Sequence, residues 1–293
     1  MAGAPVDANS SVFGMVLGIA QDAGVPQAGC AASCCRGAWS DPGRRRLPAC
    51  LALVDAARGE RFVIDCTPAF PEQLARLDLA APGRPPSLLL THAHMGHYTG
   101  LIHIGREAMA CEDLAVYAMP RMGRFLSDHA PWRELFSLGH ARLVALAAGS
   151  TVALTPSLRV TPLIVPHRDE LSETVAFRVD GPDRSLLYLP DIDSLEAWWE
   201  PLLGQLEEVD VAYLDATFYS ADELPGRDMK EVSHPLLETS LALFAPLPTA
   251  LREKLRYIHI NHTNPVLDPS SAAARAVRAS GSRLAVELER VAL

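Results

Sequence analysis

At 293 residues, 49 % of them hydrophobic and 21 % charged, the chain has the length and balance of a globular protein with a full core. Its net charge of −9 argues against a large nucleic-acid surface and leaves Arg44-Arg45-Arg46 as a local basic patch. The first eleven residues carry no secretory pattern, no apolar run nears the ~20 residues of a membrane span, and six cysteines suit buried thiols and a metal site better than a disulfide framework, so a cytoplasmic protein is expected.

Apolar runs rich in β-branched residues predict strands, in chain order, at 13–20, 50–54, 61–65, 87–91, 114–119, 143–146, 159–165, 174–179, 185–189, 209–214, 257–261 and 283–288. The helical period appears at 70–77, 101–109, 194–206, 235–244 and 270–280. Asp193-Ser194 and Asp268-Pro269 are start signals for two of these helices. Turns at 57–60 and 180–183 join neighbouring strands as hairpins. So many short strands with so few helices do not suit a simple doubly wound sheet, whereas two packed sheets with helices outside fit the count. The Pro-rich stretch 81–86 is only loop length, so one domain over 1–293 is expected.

The most informative segment closes the strand at 87–91, where Thr91-His92-Ala93-His94-Met95-Gly96-His97 sets three histidines at spacings of two and three. Residues two apart on an extended chain point the same way, so His92 and His94 can grip one ion, while His97, across the turn, faces a neighbouring one. Imidazole suits zinc, iron or manganese, and three clustered imidazoles are costly to bury without a metal to satisfy them. A solvated histidine loop would sit in polar sequence, but this cluster follows a buried strand. Two more apolar strands end in a ligand type: 163–166 before His167, and 186–190 before Asp191, a carboxylate able to bridge two ions.

His92-Ala93-His94-Met95-Gly96-His97 resembles the HxHxDH signature of the metallo-β-lactamase superfamily. Asp65 resembles the Asp of its first motif, which buttresses the histidine loop, and His167 and Asp191 resemble its third histidine and bridging aspartate. The resemblance implies an αββα, α+β fold: a four-layer sandwich of two mixed sheets with helices outside. Gly96 departs from the pattern, since the Asp expected there ligates the second metal. The first site (His92, His94, His167 and shared Asp191) is complete, while the second keeps His97, Asp191 and one C-terminal histidine and is expected to be weak, exchangeable or empty.

Glu231-Val232-Ser233-His234 and Leu214-Asp215-Ala216-Thr217-Phe218 resemble the tRNase Z and cyclic-phosphate phosphodiesterase branch, which implies His234 as a general acid and not a ligand. That role suits a group titrating near neutral pH; the bland alternative is a histidine in the cap region before the helix at 235. Tyr257 to Asp268 and Leu17 to Cys30 resemble the coenzyme PQQ synthesis protein B family. Typical members of that family have lost HxH and the bridging Asp, both kept here. His259-Ile260-Asn261-His262 is similar to the HxxH of the phosphonate-pathway cyclic phosphodiesterase. This implies His259 in the active site and His262 with Cys30, Cys34 and Cys35 on a structural zinc, Cys34 standing in for the middle cysteine that Ala32 replaces. With the two histidines exchanged, the cysteine cluster would lose its fourth ligand. Cys50, Cys66 and Cys111 lie in apolar sequence and read as core.

Together these features imply metal-assisted hydrolysis. One or two ions, zinc first with iron or manganese behind, would sit among His92, His94, His97, His167, Asp191 and His259. Asp191 would orient the nucleophile and His234 would protonate the leaving group. A phosphoester or cyclic phosphate is the first expectation for a small-molecule substrate, with a lactone, thioester or amide behind it. The rivals are an iron-dependent oxygenase and a non-catalytic metal- or ligand-binding protein in which Gly96 marks decay. A membrane and nucleic acid are not expected as partners, and a homodimer is the assembly left open.

Overall fold

A period of two in the apolar runs decides the architecture. In β1 (Val12–Gly18), Phe13, Met15 and Leu17 point to one side and Val12 and Val16 to the other. Both sides are covered, so the strand reads as a continuous apolar run. This computed structural model describes residues 10–224, 226 and 232–293; residues 1–9 and Glu231, which the sequence analysis also used, lie outside them.

The next strands are β2 (Cys50–Asp55), β3 (Glu60–Ile64), β4 (Ser87–Leu89), β5 (Leu114–Ala118), β6 (Ala141–Ala145) and β7 (Val152–Thr155). They are followed by β8 (Leu158–Ile164), β9 (Val175–Asp180), β10 (Ser185–Leu189), β11 (Val211–Asp215), β12 (Leu255–Ile258), β13 (Arg283–Leu284) and β14 (Arg290–Ala292). One seven-stranded sheet has the order β14-β1-β2-β3-β4-β5-β6 and the other β13-β12-β11-β10-β9-β8-β7. Each mixes antiparallel hairpins with a run of parallel neighbours, β3 to β6 in one and β10 to β13 in the other. The turns read at 57–60 and 180–183 do close hairpins, pairing Asp55 with Glu60 and Asp180 with Ser185.

Leu51, Leu53, Phe62 and Ile64 of the first sheet pack against Phe177, Leu186, Tyr188 and Tyr213 of the second, forming the central core. Helices Phe70–Ala80, Pro120–Asp128 and Trp132–Ser137 cover the outer face of the first sheet through Phe70, Leu77, Met122, Leu126 and Leu135. Helices Trp199–Glu208, Leu237–Phe244 and Ala272–Ala279 cover the other through Leu202, Leu206, Phe244 and Val277. The layers are helix, sheet, sheet, helix, as expected. Among the described residues no helix is long and apolar enough to cross a membrane.

Several local expectations are corrected. Strands β7 and β14 and the helices Ser33–Ser40, Pro120–Asp128 and Trp132–Ser137 are not among the elements expected from the sequence. The helix expected at 101–109 is a 3₁₀ turn over Thr99–His103 followed by irregular turns, with Ala110 at φ 46°. Gly100, inside that turn, lies so close to the segment after β3 that an added Cβ would sit 2.2 Å from the Thr67 carbonyl oxygen. Packing, not propensity, sets the backbone there. Helix Ala272–Ala279 is capped by Ser271, whose Oγ accepts from Ala274 N at 3.0 Å, and not by Asp268.

Parallel strands bring their carboxyl ends together, and ligands in such sheets bind beyond those ends. Asp65 follows β3, His92 lies just past β4, Asp215 ends β11 and His259 follows β12. Gly100→Ala, just past the histidine turn, is expected to destabilise the fold by about 1–3 kcal/mol through overpacking. Chemical denaturation should show a lower midpoint at unchanged m.

Candidate metal centre

The histidine turn is fixed from below by a buried carboxylate. Asp65, fully buried at φ 69°, accepts from Thr91 N at 2.9 Å, from Thr91 Oγ1 at 2.8 Å and from His97 Nδ1 at 2.7 Å. Thr91 Oγ1 in turn accepts from His92 Nδ1 at 2.9 Å. Asp215 repeats the pattern in the second sheet. It accepts from His234 Nδ1 at 2.8 Å and from Thr217 Oγ1 at 2.7 Å, and that hydroxyl accepts from His259 Nδ1 at 2.9 Å. His167 donates from Nδ1 to Asp193 at 2.9 Å. Such outward bonds on one ring nitrogen select the tautomer and aim the other nitrogen inward.

Inward lie His92, His94 and His167, whose ligand atoms are mutually within 4.8 Å, with His167 Nε2 3.2 Å from His94 Nδ1. His97 and His259 form a second group beside them, with ring centres 5.3 Å apart. Asp191, 3 % exposed, stands between the groups. Its Oδ1 is 3.7 Å from His167 Nε2, and its Oδ2 is 3.2 Å from His97 Nε2 and 3.6 Å from His259 Nε2. This is the disposition of a carboxylate that can serve two cations at once.

The second group contains a residue the sequence analysis missed. Asp22, in the turn after β1, places Oδ1 3.2 Å from His97 Nε2 and 3.5 Å from His259 Nε2. A Cβ built on Gly96 would lie 2.1 Å from that same oxygen and 2.7 Å from the Asp22 Cα, so the Asp22 carboxylate and its backbone together occupy the space a side chain at 96 would need.

The site fits cations. The buried atoms Asp22 Oδ1, His92 Nε2, His97 Nε2, Asp191 Oδ2 and His259 Nε2 have no hydrogen-bond partner among the described residues. Interiors rarely leave polar atoms so, and a converging set of imidazole nitrogens and carboxylate oxygens is a donor set for a divalent metal. Burial pushes His92 and His94 below the ordinary imidazole range; burial with His234 and His94 nearby pushes His167 down to about 2. All three are neutral at pH 7, the form that ligates. His234 differs: burial would lower it, but Asp215 and then Asp191 raise it above the usual value.

The cysteines form a separate cluster. Cys34 and Cys35, in the first turn of helix Ser33–Ser40, hold Sγ 3.4 and 3.3 Å from His262 Nδ1, and Cys30 Sγ lies 3.7 Å from Cys34 Sγ. That sulfur separation is far beyond a disulfide bond of ~2.05 Å. A tetrahedral ion with Zn–S of ~2.3 Å and Zn–N of ~2.0 Å implies edges of ~3.8 and ~3.5 Å, close to those found. His259 and His262 thus fall in different clusters, His259 with His97 and His262 with the cysteines.

Two other residues went unassigned in the sequence. Asp193 holds His167, while Ser194, its partner in the expected start signal, accepts from Ala197 N at 3.1 Å. Asp215 stood within a quoted segment without a role. Both follow apolar strands, the signal that marked His167 and Asp191, and Asp22 carries it too. Asp65→Asn is expected to weaken metal binding ten- to a hundredfold, about the range for an outer partner of a ligand, as read by chelator competition. His262→Ala should lower bound zinc by one ion per chain in elemental analysis.

Residues 60–286 match the family described as Beta-lactamase superfamily domain. The chain is 28 % identical over 314 residues to the Coenzyme PQQ synthesis protein B of Xanthomonas axonopodis pv. citri (strain 306), covering 95 % of this chain and 99 % of that protein. In structure it is similar to the Zn²⁺-bound PqqB of Methylobacterium extorquens, with TM-score 0.80, 23 % identity, and coverage of 96 % of this chain and 100 % of that one. It is also similar to a diphosphatase from the PhnP family, with TM-score 0.70, 21 % identity, and coverage of 96 % and 98 %. At those identities the structural likenesses speak for the fold. The match over 60–286, with two seven-stranded sheets enclosing the histidine turn, leads to one conclusion: the chain belongs to the β-lactamase superfamily.

Proposed function

We propose that the protein is a metal-dependent hydrolase acting on a phosphoester or cyclic phosphate. One observation carries this reading: Asp191 stands between two groups of inward-facing imidazoles with the His234–Asp215 pair at its side, His234 Nδ1 lying 3.9 Å from Asp191 Oδ1. His92, His94, His167 and Asp191 Oδ1 would hold one ion; His97, His259 and Asp191 Oδ2 would hold the other. Zinc is the first choice for imidazole and carboxylate donors, with iron and manganese behind. Bound there, a divalent cation lowers the pKa of water towards ~7 and polarises a phosphoryl oxygen.

The protein's own groups supply the rest. Asp191, standing between the two groups, would help orient the attacking water. Its Nδ1 tied to Asp215, His234 can present Nε2 to the leaving oxygen, and a pKa raised by Asp215 keeps it protonated to higher pH than an ordinary histidine. A cleft of about 540 Å³ lies beside His167, lined by Arg168, Glu173, Asp193 and Trp198 among others; of the histidine groups His167 alone is on its wall, so the cleft adjoins the centre without containing it. The cysteine cluster would hold a structural zinc away from the chemistry.

A second reading rests on the 28 % identity to proteins named for PQQ synthesis: an iron-dependent oxygenase in the making of a cofactor. Stoichiometric iron with oxygen consumption would favour it over hydrolysis. A protein that hydrolyses neither phosphodiesters nor lactones and thioesters when loaded with zinc, manganese or iron would sink the hydrolase. His234→Gln should lower kcat about 10²- to 10⁴-fold on a phosphodiester with an alkoxide leaving group. It should do so far less with p-nitrophenolate, which leaves without a proton; steady-state kinetics on the matched pair reads the difference.

A further inference from the structure

Four unpartnered atoms converge in the second histidine group: Nε2 of His97, Nε2 of His259, Oδ2 of Asp191 and Oδ1 of Asp22. Each oxygen lies close to each nitrogen. Asp22 Oδ1 is 3.2 and 3.5 Å from His97 and His259, and Asp191 Oδ2 is 3.2 and 3.6 Å from the same two nitrogens. Bonds of ~2.0–2.1 Å from one ion to imidazole and carboxylate in a tetrahedral array imply edges of ~3.3–3.4 Å. Four of the six edges of such an array lie around that value, and Asp22, His97 and His259 offer ligand atoms mutually within 4.8 Å, with Asp191 Oδ2 meeting the same two imidazoles.

From these separations we infer that Asp22 is a ligand of the second cation, delivered by the loop after β1 into the space left by the absent side chain at Gly96. The inference rests on the metal-centre reading above and completes its weaker half. Gly96 is then neither decay nor a missing ligand, because the carboxylate has moved to another stretch of chain. With Asp22 the second group has two carboxylates and two imidazoles, and Asp191 remains shared with the first.

The loop that carries Asp22 is held to the segment that carries His259. Ile260 N donates to Ile19 O at 2.9 Å, Gln21 N donates to Ile260 O at 2.9 Å, and the Asn261 amide donates to the Gln21 side chain. The turn then closes with Gly24 N on Gln21 O at 2.8 Å, Gly24 taking φ +74° as few other residues would. Asp22 and His259 therefore move as one unit. A mere charge partner for a protonated His97 would not need such registration, nor a glycine at 96 to make room.

The test counts metal and leaves turnover aside. Chelator-stripped wild type, Asp22→Asn and Asp22→Ala are reloaded with Zn²⁺ alone, and bound zinc is measured by elemental analysis and chelator competition. Asp22→Asn should bind one ion at least about tenfold more weakly, as even an outer partner of a ligand does. Asp22→Ala, with no donor atom at 22, should lose that ion. The ion of the Cys30, Cys34, Cys35 and His262 cluster, retained in both variants, reports that the loop after β1 is still folded. Variants that keep the full count and affinity overturn the inference. Wild type that takes up no ion at the histidines overturns the metal-centre reading as well.

Discussion

Two buried carboxylates hold the site in shape. Asp65 and Asp215 each take one imidazole directly, His97 and His234, and a second through a threonine hydroxyl, His92 by way of Thr91 and His259 by way of Thr217. A fully buried ionised carboxylate is tolerable only with its oxygens well bonded, and each of these accepts at least three hydrogen bonds. The consequence is directional. Each of these four imidazoles is bound at Nδ1, so Nε2 is the nitrogen left to act. Asp65 and His259 adopt left-handed backbone conformations, φ 69° and 62°, which persist because surrounding bonds over-determine them.

What could be read in the sequence is what the chain encodes locally. A strand that ends in a ligand keeps that ligand at the sheet's carboxyl edge whatever the rest of the fold does, so His92, His94, His97, His167 and Asp191 were legible one at a time. The layered architecture followed from apolar runs covered on both faces. What could not be read depends on a distant segment. The helix that the period at 101–109 suggests gives way to a tight turn over Thr99–His103, packed at Gly100 against the chain after β3. Asp22 also follows an apolar strand, but which site it serves shows only when residues 96, 97 and 259 are folded onto it.

The two clusters are braced by one short stretch. His259 and His262, three residues apart, enter different centres, and the backbone between them is bonded to the loop after β1. That loop continues to Gln27, whose N–H donates to Cys35 Sγ at 3.3 Å, and on to Cys30. Residues 19–35 and 257–264 therefore form a clamp closed at one end by sulfur and imidazole and at the other by Asp22 and His259. The distant ends of the chain are joined there, beside the histidine groups.

The overlap between the Asp22 carboxylate and the Cβ position of residue 96 also constrains how such a protein can change over evolutionary time. Two carboxylates cannot share that space, and with neither present the second imidazole pair stands alone. Because a Cβ at 96 would also meet the Cα of residue 22 at 2.7 Å, a lineage passing from one arrangement to the other must shift the loop after β1 as well as exchange side chains, so the two positions are coupled by sterics although they stand 74 positions apart. Motif matching that inspects only the histidine turn scores such a chain as degenerate. The proper unit of comparison is the pair of positions, and a survey of relatives that tabulates them jointly would separate chains that have lost a carboxylate from chains that have relocated it.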